Sequence, residues 1–190
     1  MVGTDSLALI ADDIRGCRAC SLCESATQAV PGSGAADARL LIIGEAPGAH
    51  EDAAGMPFVG ASGKVLDKLL LLAGLNRDTL FIANVVKHRP PQNRDPLPAE
   101  VHACASFLQR QIAVINPLFI VPLGRHAAAR WIPHIKISAA HGVPQHIANH
   151  IVVPMFHPAA ALYQPRNMAA LETDFLLLGE LYRTVLHNAG

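Results

Sequence analysis

The segment that decides the fold is Arg39-Leu-Leu-Ile-Ile-Gly44, which continues as Glu-Ala-Pro-Gly48. A short, continuous apolar run is typical of a strand that is buried on both faces. A Gly/Pro turn directly after such a run is typical of a parallel strand whose following loop forms part of a ligand site. We therefore predict a buried parallel strand whose carboxyl end carries functional residues, beginning with Gly44 and Glu45.

Three further runs have the same character, and helical patterns separate them. The strand-like runs are 79–86, 118–124 and 147–156, and the helical stretches are 7–14, 63–74, 98–116, 124–131 and 168–186. This alternation predicts an α/β fold, a three-layer α/β/α sandwich around a four-stranded, mainly parallel sheet. A chain of 190 residues is expected to form one domain over residues 1–190.

The composition indicates a globular enzyme. Hydrophobic residues make up 51% of the chain and charged residues 16%, which excludes a disordered chain and a basic nucleic-acid arm. Fifteen basic residues balance fifteen acidic ones, so any nucleic-acid contact must come from a local patch. No apolar run reaches the roughly 18 residues of a membrane span, and the N-terminus does not resemble a secretory signal. We expect a cytoplasmic protein without a membrane contact.

Three of the four cysteines lie within seven residues, as Cys17-Arg-Ala-Cys20-Ser-Leu-Cys23, and the fourth is Cys104. Cysteines this close in sequence are unsuited to a disulfide framework that links distant loops. A metal site is the better interpretation. The spacing of the first three is also found in ferredoxins.

The predicted strands end at Gly44-Glu45, Asn84, Gly124 and His157. Because carboxyl ends of parallel strands meet at one edge of the sheet, their side chains should converge in one cleft. Without further information, each of these residues could have a structural role instead of a functional one. The acidic, glycine-rich run 44–63 could be a mobile loop, Asn84 could cap the backbone, and His157 could be packed in the core. His157-Pro158 ends an apolar strand abruptly, which favours a position at the edge of the sheet.

These residues together carry a family resemblance. The run 44–63, the segment 84–96, Cys104 and His157-Pro-Ala-Ala resemble the iron-sulfur uracil-DNA glycosylases, the family-four branch of that superfamily. The resemblance covers roughly residues 5 to 180 in order. It implies an enzyme of base excision repair that acts on uracil-containing DNA, single- or double-stranded, as a monomer. Such an enzyme flips deoxyuridine into a pocket and hydrolyses its N-glycosidic bond, which releases uracil and leaves an abasic site.

The resemblance also implies roles at the base. Phe58 would stack on uracil, Asn84 would bind its edge and reject cytosine, and an N–H of His157 would stabilise the charge on O2 as the base leaves. Glu45 would stabilise the cationic sugar or position water, with Glu51 as a second candidate carboxylate. Gly44 and Ala46 complete the uracil pocket, and we expect Glu51 to help form the wall that excludes the thymine methyl group. The chain departs from better-known members of the superfamily, which have aspartate at position 46 and tyrosine at position 48.

The expected DNA contacts lie around this pocket. Lys87, Arg89, Asn93 and Arg94 form the local basic patch. Ser62 lies where a helix begins, so backbone N–H groups there can bind a phosphate. Residues 159–163 would form a loop that enters the duplex, with Leu162 as an apolar wedge.

The resemblance further implies a [4Fe-4S] cluster. Cys17, Cys20 and Cys104 match three family ligands, whereas His88 stands where the third cysteine is usual. Histidine also binds iron in Rieske clusters, so His88 is our expected fourth ligand and Cys23 its competitor. The cluster would have a structural role.

One alternative comes from another functional class. A related branch of the superfamily binds uracil-containing DNA through a lasting covalent bond, which is formed by a histidine on an inserted basic loop. The sequence at His88 resembles the motif of that branch. The insertion is absent, because His88 continues directly into Arg-Pro-Pro-Gln-Asn-Arg. We therefore expect turnover rather than trapping.

Overall fold

The computed structural model describes residues 5–188. Its central sheet has the parallel strands β2 (Leu40–Gly44), β3 (Phe81–Asn84), β4 (Phe119–Pro122) and β6 (His150–Val152). Two short strands, β1 (Ser33–Gly34) and β5 (Gln145–Ile147), pair antiparallel at the two edges. The strand order is β1-β3-β2-β4-β6-β5.

The predicted α/β class is confirmed, but the prediction of four strands is wrong, since the described sheet has six. The two additional strands are edge strands of two and three residues, too short to give an apolar run. The predicted strand 147–156 is divided accordingly. Ala148, with φ of 50°, lies in the turn of a hairpin, so Ile147 belongs to β5 and the parallel strand begins at His150.

Helices cover both faces of the sheet. They are α1 (Leu7–Gly16), α2 (Leu22–Ser25), α3 (Ala49–Ala54), α4 (Ala61–Leu72), α5 (Pro98–Ile115), α6 (Gly124–Ala128), α7 (Ile137–Ala140), α8 (Ala159–Tyr163) and α9 (Pro165–Asn188), with 3₁₀ turns at Arg77–Thr79 and Pro91–Asn93. Within residues 5–188, no helix combines the length and apolar character needed to cross a membrane.

Side chains of β2 point alternately to the two faces, which creates two cores. Leu40 and Ile42 pack in one core with residues of α4 and α9. Leu41 and Ile43 pack in the other with residues of α5 and α6. The chain leaves β2 toward β3 on one side and later reaches β4 on the other, so a crevice forms at the carboxyl ends of β2 and β4.

Candidate active site

A cavity of about 540 Å³ opens at this carboxyl edge of the sheet. It brings together most of the residues that the sequence predicted, from three strand ends and the glycine-rich run: Glu45, Ala46, Glu51, Phe58, Asn84 and His157, with Ser62, Asn93, Arg94 and Leu162 around them. Gly44 lies behind two of these residues. A Cβ atom there would meet the Asn84 amide oxygen and the Phe58 ring.

Phe58 supplies a flat apolar wall, and its backbone is in an unusual conformation. Its φ is 54°, a left-handed value that is uncommon for a bulky residue. The Arg77 guanidinium donates to the carbonyls of Pro57 (2.8 Å) and Phe58 (3.1 Å), which holds the turn. The turn also needs Gly63, because a Cβ atom there would lie 2.0 Å from the Phe58 carbonyl oxygen.

Asn84, the last residue of β3, presents an acceptor without a partner. Its side chain is only 2% exposed, yet the amide oxygen Oδ1 has no hydrogen bond within the described part of the chain. Leaving such a group unpaired costs about 1–3 kcal/mol, so a ligand that donates to it recovers that cost.

His157 stacks near Phe58, with ring centroids 5.7 Å apart and an interplanar angle of 29°. Burial lowers the pKa of His157 to about 4, against a weaker opposing effect of Glu51. Its Nδ1 accepts a hydrogen bond from the Ala159 backbone N–H at 3.1 Å. A neutral imidazole that accepts at Nδ1 carries its proton on Nε2, so His157 is a hydrogen-bond donor at that nitrogen.

Glu45 follows β2 directly and is partly buried. Burial raises the pKa of its carboxyl; His126 and Arg125 lower it, whereas Asp95 raises it. A raised pKa is typical of carboxyl groups that take part in acid or base chemistry, although structural networks also produce it.

Glu51, in the first turn of α3, uses both carboxylate oxygens to bind backbone N–H groups. Oε2 accepts from Gly48 (3.1 Å), and Oε1 accepts from Val59 (3.0 Å) and Gly60 (2.8 Å). The carboxylate therefore ties the start of α3 to the segment that follows Phe58. In this conformation Glu51 organises the wall of the cavity.

Known proteins are similar to this chain over most of its length. The sequence-family model of the Uracil DNA glycosylase superfamily matches residues 31–177 of this chain. The chain belongs to this superfamily. It is 43% identical to a protein of Sulfurisphaera tokodaii named Type-4 uracil-DNA glycosylase, over 93% of this chain and 85% of that one. It is 44% identical to the protein of that name from Saccharolobus solfataricus (90% and 84%) and 42% identical to that from Archaeoglobus fulgidus (93% and 94%).

The predicted basic patch of this superfamily member is only partly at the surface. Lys87 is completely buried, so the prediction that it contacts DNA is wrong. Its ammonium group donates to the Asn84 carbonyl oxygen (2.8 Å) and to Gln111 Oε1 (2.7 Å), and burial lowers its pKa to about 8. Gln111 in turn donates to the carbonyl of Pro31. Lys87 thus stabilises the end of β3 by hydrogen bonding from the interior of the protein.

The other candidates for DNA contacts remain accessible. Arg89 Nε donates to Asn93 Oδ1 at 2.7 Å, and Arg94 forms a two-pronged ion pair with Glu100. Both pairs hold the segment after His88 in place. Residues 159–163 form the short helix α8, so the prediction of a loop there is wrong; Leu162 is nevertheless 48% exposed beside the cavity.

The cysteines of this superfamily member lie where the N-terminal segment meets α5. All four are free thiols. Burial raises the pKa of Cys104, and negative charge on Cys20 and Cys17 raises it further. Lys87 lowers this pKa, both through its positive charge and through a hydrogen bond from its backbone N–H to the Cys104 thiolate. Burial raises the pKa of Cys20, and negative charge on Cys17 and Cys23 raises it further. His88 is 5% exposed, and burial lowers its pKa.

Sequence reasoning missed the neighbours of Glu45. His126 and Asp95 each offer a ligand atom, and together with the Glu45 carboxylate these atoms lie within 4.8 Å of one another. A signal for His126 was available, because it comes two residues after Gly124, a predicted strand end. Asp95 lies in a proline-rich loop and had no such signal.

Proposed function

We propose that this chain is a DNA repair glycosylase that flips deoxyuridine out of DNA and hydrolyses its N-glycosidic bond. The observation that carries this proposal is the buried, unpartnered Oδ1 of Asn84 beside the Phe58 ring. Uracil presents an N3–H donor, whereas cytosine has an acceptor at N3. A fixed acceptor that is shielded from water favours uracil and rejects cytosine.

His157 stabilises the departing base. When the bond from C1′ to N1 breaks, its electron pair passes to the uracil ring and negative charge collects on O2. The Nε2–H of neutral His157 donates to that oxygen. Removing a single donor of this kind typically costs about 10²–10³ in rate.

Glu45 acts on the sugar side of the bond. As the base leaves, C1′ becomes electron-deficient, and a carboxylate stabilises the cationic sugar. Water then forms the new bond to C1′ and gives up its proton, for which the same carboxylate is the acceptor. The chain has Ala46 and Gly48 beside Glu45, so no further carboxylate or phenol lies at those positions.

The walls of the cavity restrict the base. Gly44 and Ala46 leave room for the uracil ring, and Glu51 holds the wall that excludes the thymine methyl group. Around the opening, Ser62, Arg89, Asn93 and Arg94 contact the DNA backbone, and Leu162 fills the space that the flipped base leaves. The proposed enzyme acts as a monomer on single- or double-stranded DNA.

The donor set fits the [4Fe-4S] cluster that the family implies. Cys17 and Cys104 sulfurs accept backbone hydrogen bonds, and Lys87 places a cation near Cys104, which offsets thiolate charge. Thiolate sulfur and histidine nitrogen are the ligand types that hold iron-sulfur clusters. Cys17, Cys20, Cys104 and His88 would hold the cluster, which would tie α1 to the segment after β3.

A uracil-containing oligonucleotide tests the activity. The purified holoprotein is incubated with labelled DNA that carries one uracil, followed by alkali and a denaturing gel. Strand cleavage is expected after alkali, with strong loss in Glu45→Gln and Asn84→Ala. DNA with thymine or cytosine at the same position is the matched control. Intact uracil DNA with the folded holoprotein would overturn the proposal.

The same gel, run without alkali, tests the binding alternative. A protein that traps DNA covalently would give a band that resists denaturant at one adduct per protein. A turning-over glycosylase releases more uracil than one equivalent and leaves no such band. Among the described residues, His88 is buried and is not one of those that line the cavity, which favours turnover over trapping.

A further inference from the structure

Glu45 lies between two cavities. One is the base cavity, and the other, of about 450 Å³, is lined by Glu45 together with His102, His126 and Arg130. His102, His126 and Arg130 belong to α5, to α6 and to the turn after α6, and the rest of the lining is apolar. Glu45 therefore borders the proposed base cavity on one side and a cavity with three basic side chains on the other.

Asp95 and His126 connect these two sides. Asp95 lines the base cavity and His126 the second cavity. The Asp95 carboxylate lies 3.1 Å from His126 Nε2 and 3.5 Å from the Arg125 guanidinium. The ligand atoms of Glu45, Asp95 and His126 all lie within 4.8 Å of one another. At such distances, two carboxylates disfavour each other's ionisation, and a cation between them favours it.

The His126 nitrogen has two partners that require opposite protonation states. Protonated Nε2 donates to Asp95, whereas unprotonated Nε2 accepts from Arg125 Nε, which lies 3.0 Å away. In both states a cation from α6 is present beside the carboxylates. The protein itself thus supplies the positive charge that a metal ion would otherwise bring to such a cluster.

We propose that Asp95 and His126 are positioning residues for Glu45, with opposite effects: His126 keeps Glu45 ionised for the reaction, and Asp95 limits that ionisation. The proposal rests on the proposed function of Glu45. It is supported by the pKa of Glu45, which burial raises, His126 and Arg125 lower, and Asp95 raises.

The test is the pH profile of single-turnover uracil release, from pH 4.5 to 9, with enzyme in excess and EDTA in every buffer. His126→Gln should move the acidic limb of the profile to higher pH, and Asp95→Asn should move it to lower pH. On that limb each change in rate should be about two- to fivefold, the size expected for partly exposed charges. At pH 8.5 both variants should approach the wild-type rate.

Three further variants separate charge from structure. His126→Lys restores a permanent cation and should return the acidic limb to the wild-type position or below it. His146→Gln and Asp37→Asn, which replace exposed residues outside both cavities, should leave the limb unchanged. Melting temperatures identify any variant that fails to fold.

The outcomes distinguish the two proposals. If Glu45→Gln keeps the wild-type rate and profile, the proposed role of Glu45 fails, and this inference fails with it. If Glu45→Gln loses activity but His126→Gln and Asp95→Asn move the limb in the same direction, or not at all, only the inference is overturned. Opposite movements support it.

Discussion

A Cβ atom on Gly44 would lie 2.3 Å from the amide oxygen of Asn84 and 2.7 Å from the ring of Phe58. The end of β2 therefore has no room for any side chain, because the base-reading amide and the stacking ring approach it closely. Real Cβ atoms do not accept such contacts, and the amide or the ring must move.

We expect Gly44→Ala to lower kcat/KM for uracil release by about 10- to 100-fold, since overpacking costs about 1–3 kcal/mol at the site where geometry matters most. Gly16→Ala is the matched control, because a Cβ atom there meets nothing within 4 Å. Kinetics and melting curves of both variants provide the check. A fully active Gly44→Ala enzyme would show that the position of Asn84 is not critical.

His157 should make the stability of the protein dependent on pH. Its folded pKa of about 4 lies below its ordinary value of 6.5, so the unfolded chain takes up a proton first as the pH falls. The stabilisation is complete above about pH 6.5 and is lost down to about pH 4, by at most roughly 3 kcal/mol. In urea unfolding, the free energy of unfolding of wild type, taken relative to that of His157→Phe, should therefore fall from pH 7.5 to pH 4.5. A directly measured pKa of His157 above 6 would contradict the prediction.

Lys87 and Arg89 should differ in their effect on DNA binding. Lys87→Met leaves the Asn84 carbonyl and Gln111 Oε1 without their donor, so the free energy of unfolding should fall by about 1–3 kcal/mol for each group. The salt dependence of DNA binding should not change. Arg89→Gln should instead reduce the slope of log K against log salt by about one, with little effect on stability. Equal slopes in wild type, Lys87→Met and Arg89→Gln would show that Arg89 does not contact DNA.

Iron content distinguishes His88 from Cys23 as the fourth cluster ligand. We expect His88→Ala to lose bound iron and its visible absorption, while Cys23→Ala keeps both. His88→Cys, which restores the residue usual in the family, should keep the iron. If instead Cys23→Ala loses iron and His88→Ala does not, the ferredoxin-like spacing of Cys17, Cys20 and Cys23 is the correct interpretation.

The sequence predicted the parallel centre of the fold well, because buried parallel strands are continuous apolar runs. Strand ends then located Glu45, Asn84 and His157 beside one cavity without any contact information. The edge strands β1 and β5 could not be predicted, since strands of two and three half-exposed residues have no periodic signal.

The failed prediction for Lys87 and the missed cluster beside Glu45 have a common cause. Lys87 looks like a surface cation in sequence, and only the fold shows that its ammonium group replaces water at the Asn84 carbonyl and Gln111. The Asp95 and His126 cluster likewise joins a loop to a helix 31 positions later in the chain. Charge in a sequence indicates that a residue needs a partner, but the fold decides whether that partner is DNA, water or another side chain.

Arg110 on α5 forms ion pairs with Asp5 at 2.7 Å and with Asp13 at 2.8 Å, and Ile10 and Ile14 of α1 are fully buried. The helix that leads into Cys17 is thus docked by contacts that require no iron. The polypeptide's own side chains therefore set the position of the helix end that carries Cys17, so this part of the proposed cluster site is preorganised by packing and charge.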